Sequence, residues 1–173
     1  MDACADKIIV YISAPITGLS YEAALVHFAY MERILEATGK IVVRSPMRGK
    51  RTLSHQTMLK PGGYKRASLT DAALHRRDHR DVKQCDAVLC DLIGAKEKST
   101  GCTHELAWSW IYQKFVVFAI EREGNPNDHG FNRQSASVIV HDTNEALLCL
   151  IEWADADVPE ELAENLRKKT RDV

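Results

Sequence analysis

The sequence has no run approaching the ~18 consecutive apolar residues that a membrane span needs, and its first apolar segment follows Asp2 and Asp6 with no basic cluster ahead of it. A soluble, cytoplasmic protein with no membrane partner is therefore expected. Charge of either sign is not in excess: 23 Lys+Arg stand against 24 Asp+Glu. No global field recruits nucleic acid, which makes nucleic acid an improbable partner and confines any attraction for anions to a local patch. The five cysteines, Cys4, Cys85, Cys90, Cys102 and Cys149, are odd in number, contain no C-x-x-C pair and fall largely in apolar or helical runs, which favours free thiols over a disulfide framework. Although Lys96-Glu-Lys-Ser-Thr-Gly101 superficially suggests a phosphate loop, G-x-x-x-x-G-K-[ST] is absent, which argues against ATP hydrolysis.

What is present reads as alternating strands and helices over 173 residues, a length suited to one domain. Ile8–Ser13 is a β-rich run ended by Pro15 and Gly18, and Ser20 caps a helix in which Ala24, Phe28, Met31 and Leu35 recur at helical spacing up to Gly39. Further strands are predicted at Ile41–Arg44, Asp86–Leu92, Phe115–Ile120 and Val138–His141. Helices are predicted at Leu69–Gln84, from about Cys102 to Gln113, at Thr143–Trp153 and at Pro159–Lys169. This order predicts a flavodoxin/Rossmann-like, doubly wound α/β domain, with a five-stranded parallel sheet between two helical layers. Ligands of such a sheet sit beyond the carboxyl ends of the strands.

That rule selects the loops 13–19, 44–68 and 92–104. Between Arg44 and Thr70 lie seven basic residues (Arg44, Arg48, Lys50, Arg51, Lys60, Lys65, Arg66) and no acid. The insertion reads equally well as a cover for an anion, with Arg48 as its candidate contact, or as a solvated, mobile loop. Ahead of the third strand stands Asp78, and beyond it Ser99-Thr-Gly101-Cys-Thr-His-Glu105-Leu-Ala. The two acids are placed to converge at one sheet edge. Substitution at an anomeric carbon passes through an oxocarbenium-like state that an ionised carboxylate can capture. Glu105, read as lying in the first turn of its helix, gains roughly 0.3–1 kcal/mol for its anion from the helix dipole.

The opening Tyr11-Ile-Ser-Ala-Pro-Ile-Thr-Gly18, the pair Arg77-Asp78 with Asp86 eight residues after Asp78, and Ser99-x-Gly101-x-x-x-Glu105-Leu-Ala together resemble the nucleoside 2-deoxyribosyltransferase superfamily, which also contains deoxynucleoside 5′-monophosphate hydrolases. The resemblance implies that Glu105 is the nucleophile forming a glycosyl ester at C1′. It implies that Asp78 manages the proton of the departing base and that the Tyr11 hydroxyl holds the carboxylate. The loop of Ser13, Ala14, Pro15, Ile16, Thr17 and Gly18 would surround the sugar and its 5′ end through backbone N–H groups. Ser99, where the transferases resemble an aspartate, implies a 5′-phosphorylated substrate, with Gly101 beside it at the helix N-terminus. Pro15 departs from the pattern of the hydrolases, which resemble a serine there. A polar residue from a neighbouring subunit completes each site in the family. The matching window here holds His129 and Asn132, and at least a homodimer is implied.

Neither a cofactor nor a metal is expected. His75 and His79 have metal-compatible spacing, yet no second cluster supplies further ligands, and a solvated, ion-paired face is the better account. Trp110 is expected in the core and Trp108 at a pocket or interface. The leading reading is hydrolysis of a (deoxy)nucleoside 5′-monophosphate to free base and sugar phosphate. Its rivals are a transferase moving deoxyribose between bases and a non-catalytic nucleotide-binding module.

Overall fold

The computed structural model describes residues 7–160, 162–164 and 166. Five strands, β1 (Ile8–Ser13), β2 (Ile41–Arg44), β3 (Ala87–Asp91), β4 (Phe115–Ala119) and β5 (Val138–Val140), form an all-parallel sheet of order β2-β1-β3-β4-β5. The chain winds outward from β1 to β2, then crosses back to β3, so the C-terminal ends of β1 and β3 flank the switch point. Helices α1 (Tyr21–Glu36), α2 (Asp71–Gln84), α3 (Thr100–Ile111), the short α4 (Gly130–Gln134) and α5 (Thr143–Trp153) make the connections. This is the three-layer, doubly wound architecture expected from the alternation of elements.

Two apolar clusters fill the layers. Val10 and Ile12 of β1 pack with Phe28, Met31 and Leu35 of α1 and Leu147 and Leu150 of α5. Tyr11, on the opposite face of the same strand, packs with Val82 of α2 and Cys102 and Leu106 of α3. The two-residue period of a strand thus assigns Tyr11 and Ser13 to the α2/α3 side.

Helix boundaries depart from expectation in two places. Helix α2 begins at Asp71 because Thr70 is its N-cap, its hydroxyl accepting from Ala73 N at 3.3 Å; Ala67–Leu69 forms a separate 3-10 turn. Helix α3 begins at Thr100, two residues early, because Ser99 is the cap. Glu105 is accordingly in the second turn, where the dipole falls off. Trp110 is 65% exposed rather than buried. The predicted terminal helix over 159–169 lies partly outside the described residues.

The basic insertion packs as an ordered flap. Met47, Leu53, Leu59 and Leu69 enter the core, and Arg51–Leu53 forms a second 3-10 turn. Gly18 N donates to Leu59 O (3.0 Å), Leu59 N to Leu19 O (2.7 Å) and Tyr21 N to Gln56 O (3.3 Å), which ties the flap to the β1–α1 loop. Gly62 leaves room for the Asp71 carboxylate that accepts from Gly63 N; a Cβ there would crowd that carboxylate and displace it. The reading as a wholly solvated insertion does not hold. Four apolar anchors outweigh the charge of a segment whose Arg51, Lys60, Lys65 and Arg66 remain exposed.

Candidate active site

Glu105 projects from α3 onto the face of β1 that carries Tyr11 and Ser13. Tyr11 Oη donates to Glu105 Oε1 at 2.7 Å, and Ser13 Oγ donates to Oε2. Tyr11 and Ser13 are fully buried and Glu105 is 8% exposed. Both oxygens accept from hydroxyls, an arrangement that suits a carboxylate and fixes its orientation. Burial nevertheless dominates: desolvation pushes the Glu105 carboxyl up to about 8, assisted by the nearby Cys102 and Asp78 and opposed by the Ser13 and Tyr11 hydrogen bonds. The expectation of a helix dipole keeping this group ionised is corrected, since second-turn placement weakens the dipole and removal from water outweighs it. The Tyr11 hydroxyl is pushed well above its ordinary value, first by burial and then by Glu105 and Asp78, so it serves as a donor and not as a base.

Asp78 lies on α2, near enough to influence both Glu105 and Tyr11. Its Oδ1 accepts from Arg77 Nε (3.0 Å) and Nη2 (2.9 Å). The same guanidinium donates to Arg48 O (2.9 Å) and Pro46 O (3.1 Å), pinning the start of the flap beside the acids. Asp78 is thus within electrostatic reach of Glu105. Arg48 itself spans from the flap to α2, donating to the buried Asp81 at 2.6 Å. That ion pair uses one end of the guanidinium of a side chain that is 48% exposed.

Other expected contacts distribute as follows. The Gly18 N–H is taken by Leu59 O, so it is not free to meet a sugar, and Gly18 has φ +85°, a conformation natural to glycine. Ala14 is buried, Pro15 and Ile16 are half-buried, and Thr17 is exposed. Ser99 accepts from Cys102 N at 3.4 Å as the cap, while its own N–H donates to Asn127 Oδ1 at 2.7 Å; Gly101 is exposed in the first turn of α3. Asn132 is 6% exposed and donates to Asn127 O at 2.9 Å, which turns its amide into its own chain. That bond weighs against Asn132 reaching a neighbouring subunit. His129 is exposed, its ring accepting from Phe131 N at 3.2 Å.

Residues missed from sequence include Asn125 and Asn127, buried between the loops after β3 and β4. Asn125 Nδ2 donates to Leu92 O (2.7 Å), Asn127 N to Asn125 Oδ1 (2.8 Å) and Asn127 Nδ2 to Glu97 O (3.1 Å), so they shape the loop that presents Ser99. Asparagines in a turn-rich segment carry no sequence signal for such a role. Lys50, counted from sequence only among seven flap cations, is 4% exposed. Desolvation pushes its ammonium down to about 8; Asp78 opposes this, Arg77 reinforces it and Glu105 opposes it.

His75, Arg76 and Arg80 are exposed and His79 is half-buried, as a solvated face requires, but the two histidines also make ring contacts. Their rings meet Trp108 edge-on at 4.9 and 5.1 Å, and His79 Nε2 shares a 2.7 Å hydrogen bond with Tyr112 Oη. Among the described residues no cluster suited to a metal occurs, and no helix is long and apolar enough to cross a membrane. Surface depressions of about 450 Å³ beside Trp110 and Ser137, and about 230 Å³ among Thr52, Tyr64 and Leu69, are not lined by Glu105. Glu105 itself is 8% exposed.

No protein-family model matches the chain, and no curated protein matches it. Among solved structures, the CMP N-glycosidase BcmB of Clostridium botulinum is similar with a TM-score of 0.52 at 15% identity, over 84% of this chain and 98% of that one. DNA processing protein A from Helicobacter pylori, described as binding single-stranded DNA, also gives 0.52, at 12% identity over 87% of this chain and 82% of that one. At such identities the likeness is one of fold.

Proposed function

We propose that this protein is a glycosidase-type enzyme that hydrolyses the N-glycosidic bond of a (deoxy)nucleoside 5′-monophosphate. The observation that carries the reading is the carboxylate of Glu105, removed from water with each oxygen held by a hydroxyl of β1. A surface or capping glutamate has no use for that cradle. An oriented carboxylate beside an anomeric carbon either stabilises or captures the oxocarbenium-like state. The fold of a CMP N-glycosidase lends support to the substrate class.

In this mechanism Glu105 in its ionised form attacks C1′, and the base departs with the C1′–N electron pair and takes up a proton. Water then attacks C1′ and releases the carboxylate, giving free base and (deoxy)ribose 5-phosphate. Tyr11 and Ser13 keep one oxygen aimed at C1′ during both steps. Because Glu105 is buried, the 44–70 flap opens to admit substrate and closes to exclude water. Ser99 and the first turn of α3 receive the phosphate, and at least two copies of the chain associate.

Incubation with a panel of nucleosides and 5′-monophosphates, with released base read by chromatography, tests the reading. Base release by the wild type and none by Glu105→Gln is expected. Turnover unchanged in Glu105→Gln removes the nucleophile, and absence of turnover with every substrate leaves the non-catalytic binding module. Adding an acceptor base diverts the intermediate if the protein is instead a transferase.

A further inference from the structure

We propose that Lys50 is the proton donor to the departing base, its ammonium held beside Asp78 and Glu105 by a flap that Arg77 pins to α2. This rests on the glycosidase reading and extends it to a residue that no spacing or resemblance singled out.

Three observations converge. First, a lysine is 4% exposed in a flap whose other cations at 51, 60, 65 and 66 are solvated. Burying an ammonium is costly unless something compensates it. Second, no acceptor or carboxylate among the described residues bonds it, yet no buried side-chain nitrogen is both sealed and unbonded, so the small exposed remainder of Lys50 includes its ammonium. The stem is thus enclosed while the tip keeps a small contact with solvent, and Asp78, Arg77 and Glu105 all act on its charge. Third, its position is enforced: Lys50 N donates to Met47 O at 3.1 Å, Leu53 N to Lys50 O at 2.8 Å, and Leu53 is anchored in the core. Arg77 clamps residues 46 and 48 immediately before it.

Asp78 is less suited to the same task. Its Oδ1 is already engaged twice by Arg77, whereas the Lys50 ammonium has three N–H donors and no hydrogen-bond partner among the described residues. Desolvation brings Lys50 down to about 8, close enough to neutrality for it to lose and regain a proton within a catalytic cycle. Asp78 and Glu105 favour its charged form and Arg77 disfavours it, so the two acids hold the proton in place until a base accepts it.

The step balances. Glu105 Oε forms a bond to C1′ as the C1′–N bond breaks, the electron pair going to the base nitrogen. The proton on Lys50 Nζ passes to that base, leaving a neutral amine. In the second half water attacks C1′, its proton goes to Lys50 Nζ, and the C1′–O electron pair returns to Glu105.

The test compares two leaving groups on the wild type and on Lys50→Met, which keeps the stem and removes the donor. With a natural 5′-monophosphate, kcat is expected to fall about 10²–10⁴-fold. With a 4-nitrophenyl 2-deoxyriboside 5-phosphate, whose leaving group departs unprotonated, a fall below about 5-fold is expected. Equal losses on both substrates, or no loss on either, overturn the assignment while leaving the glycosidase reading intact. A wild type inactive on both overturns the parent reading and this one with it. Should Lys50→Met not fold, Lys50→Gln repeats the comparison. A folded variant that loses activity but keeps the wild type's alkaline limb in kcat also refutes the donor role.

Discussion

Replacing Glu105 by Gln separates the stability of this fold from its chemistry. In the native state the carboxyl keeps its proton up to about 8 against an ordinary value of 4.5. Between those values the folded protein binds a proton that the unfolded chain has released. The sign follows: the folded value is raised, so the stability linked to Glu105 is fully present below about 4.5 and is lost as pH rises through 8. At ~1.4 kcal/mol per pH unit across that window, the loss is about 1 kcal/mol at pH 5 and about 3 kcal/mol at pH 7. Glutamine is nearly isosteric, accepts from one hydroxyl and donates to the other, and does not titrate. The variant is therefore expected to gain on the wild type as pH rises, levelling off above pH 8. Urea unfolding of both proteins at pH 5, 6, 7 and 8, with equal m-values, measures the difference directly. A difference independent of pH would refute the claim that burial raises this carboxyl. Because the variant also removes the proposed nucleophile, a more stable yet inactive protein is the expected combination.

Other outcomes follow from the same contacts. Tyr11→Phe removes one of the two donors to a buried carboxylate, a loss of about 1–3 kcal/mol, and the acidic limb of the pH–rate profile should move to higher pH; an unmoved limb would mean that the hydroxyl does not act on Glu105. Leu59, 1% exposed, anchors the flap, and Leu59→Ala should cost about 2–5 kcal/mol, read by thermal melting, and speed proteolytic nicking within 44–70. Gly62→Ala should displace the Asp71 carboxylate from Gly63 N and cost about 1–2 kcal/mol in urea unfolding. For the wild type, kcat should rise with pH toward about 8 as Glu105 ionises, and a rate already maximal at pH 5 would contradict the raised carboxyl.

Local patterning determined much of this protein by itself. The runs at Ile8–Ser13 and Ile41–Arg44, and the helix at Thr143–Trp153, coincide with β1, β2 and α5, because apolar periodicity, turn residues and caps are properties of neighbours in sequence. The same period-2 logic that makes β1 a strand also places Tyr11 and Ser13 on one face, and the alternation of elements implies a parallel sheet with its site at the switch point. Only the tertiary structure decided the rest. Whether the cationic 44–70 segment floats or packs depends on where Leu53, Leu59 and Leu69 find apolar partners far along the chain. Trp110 has helical spacing compatible with burial, yet it faces solvent because no element among the described residues covers that side of α3. The charge state of Glu105 and the isolation of Lys50 follow from removal of water by groups from several elements, and desolvation is a property of a volume that no stretch of sequence contains.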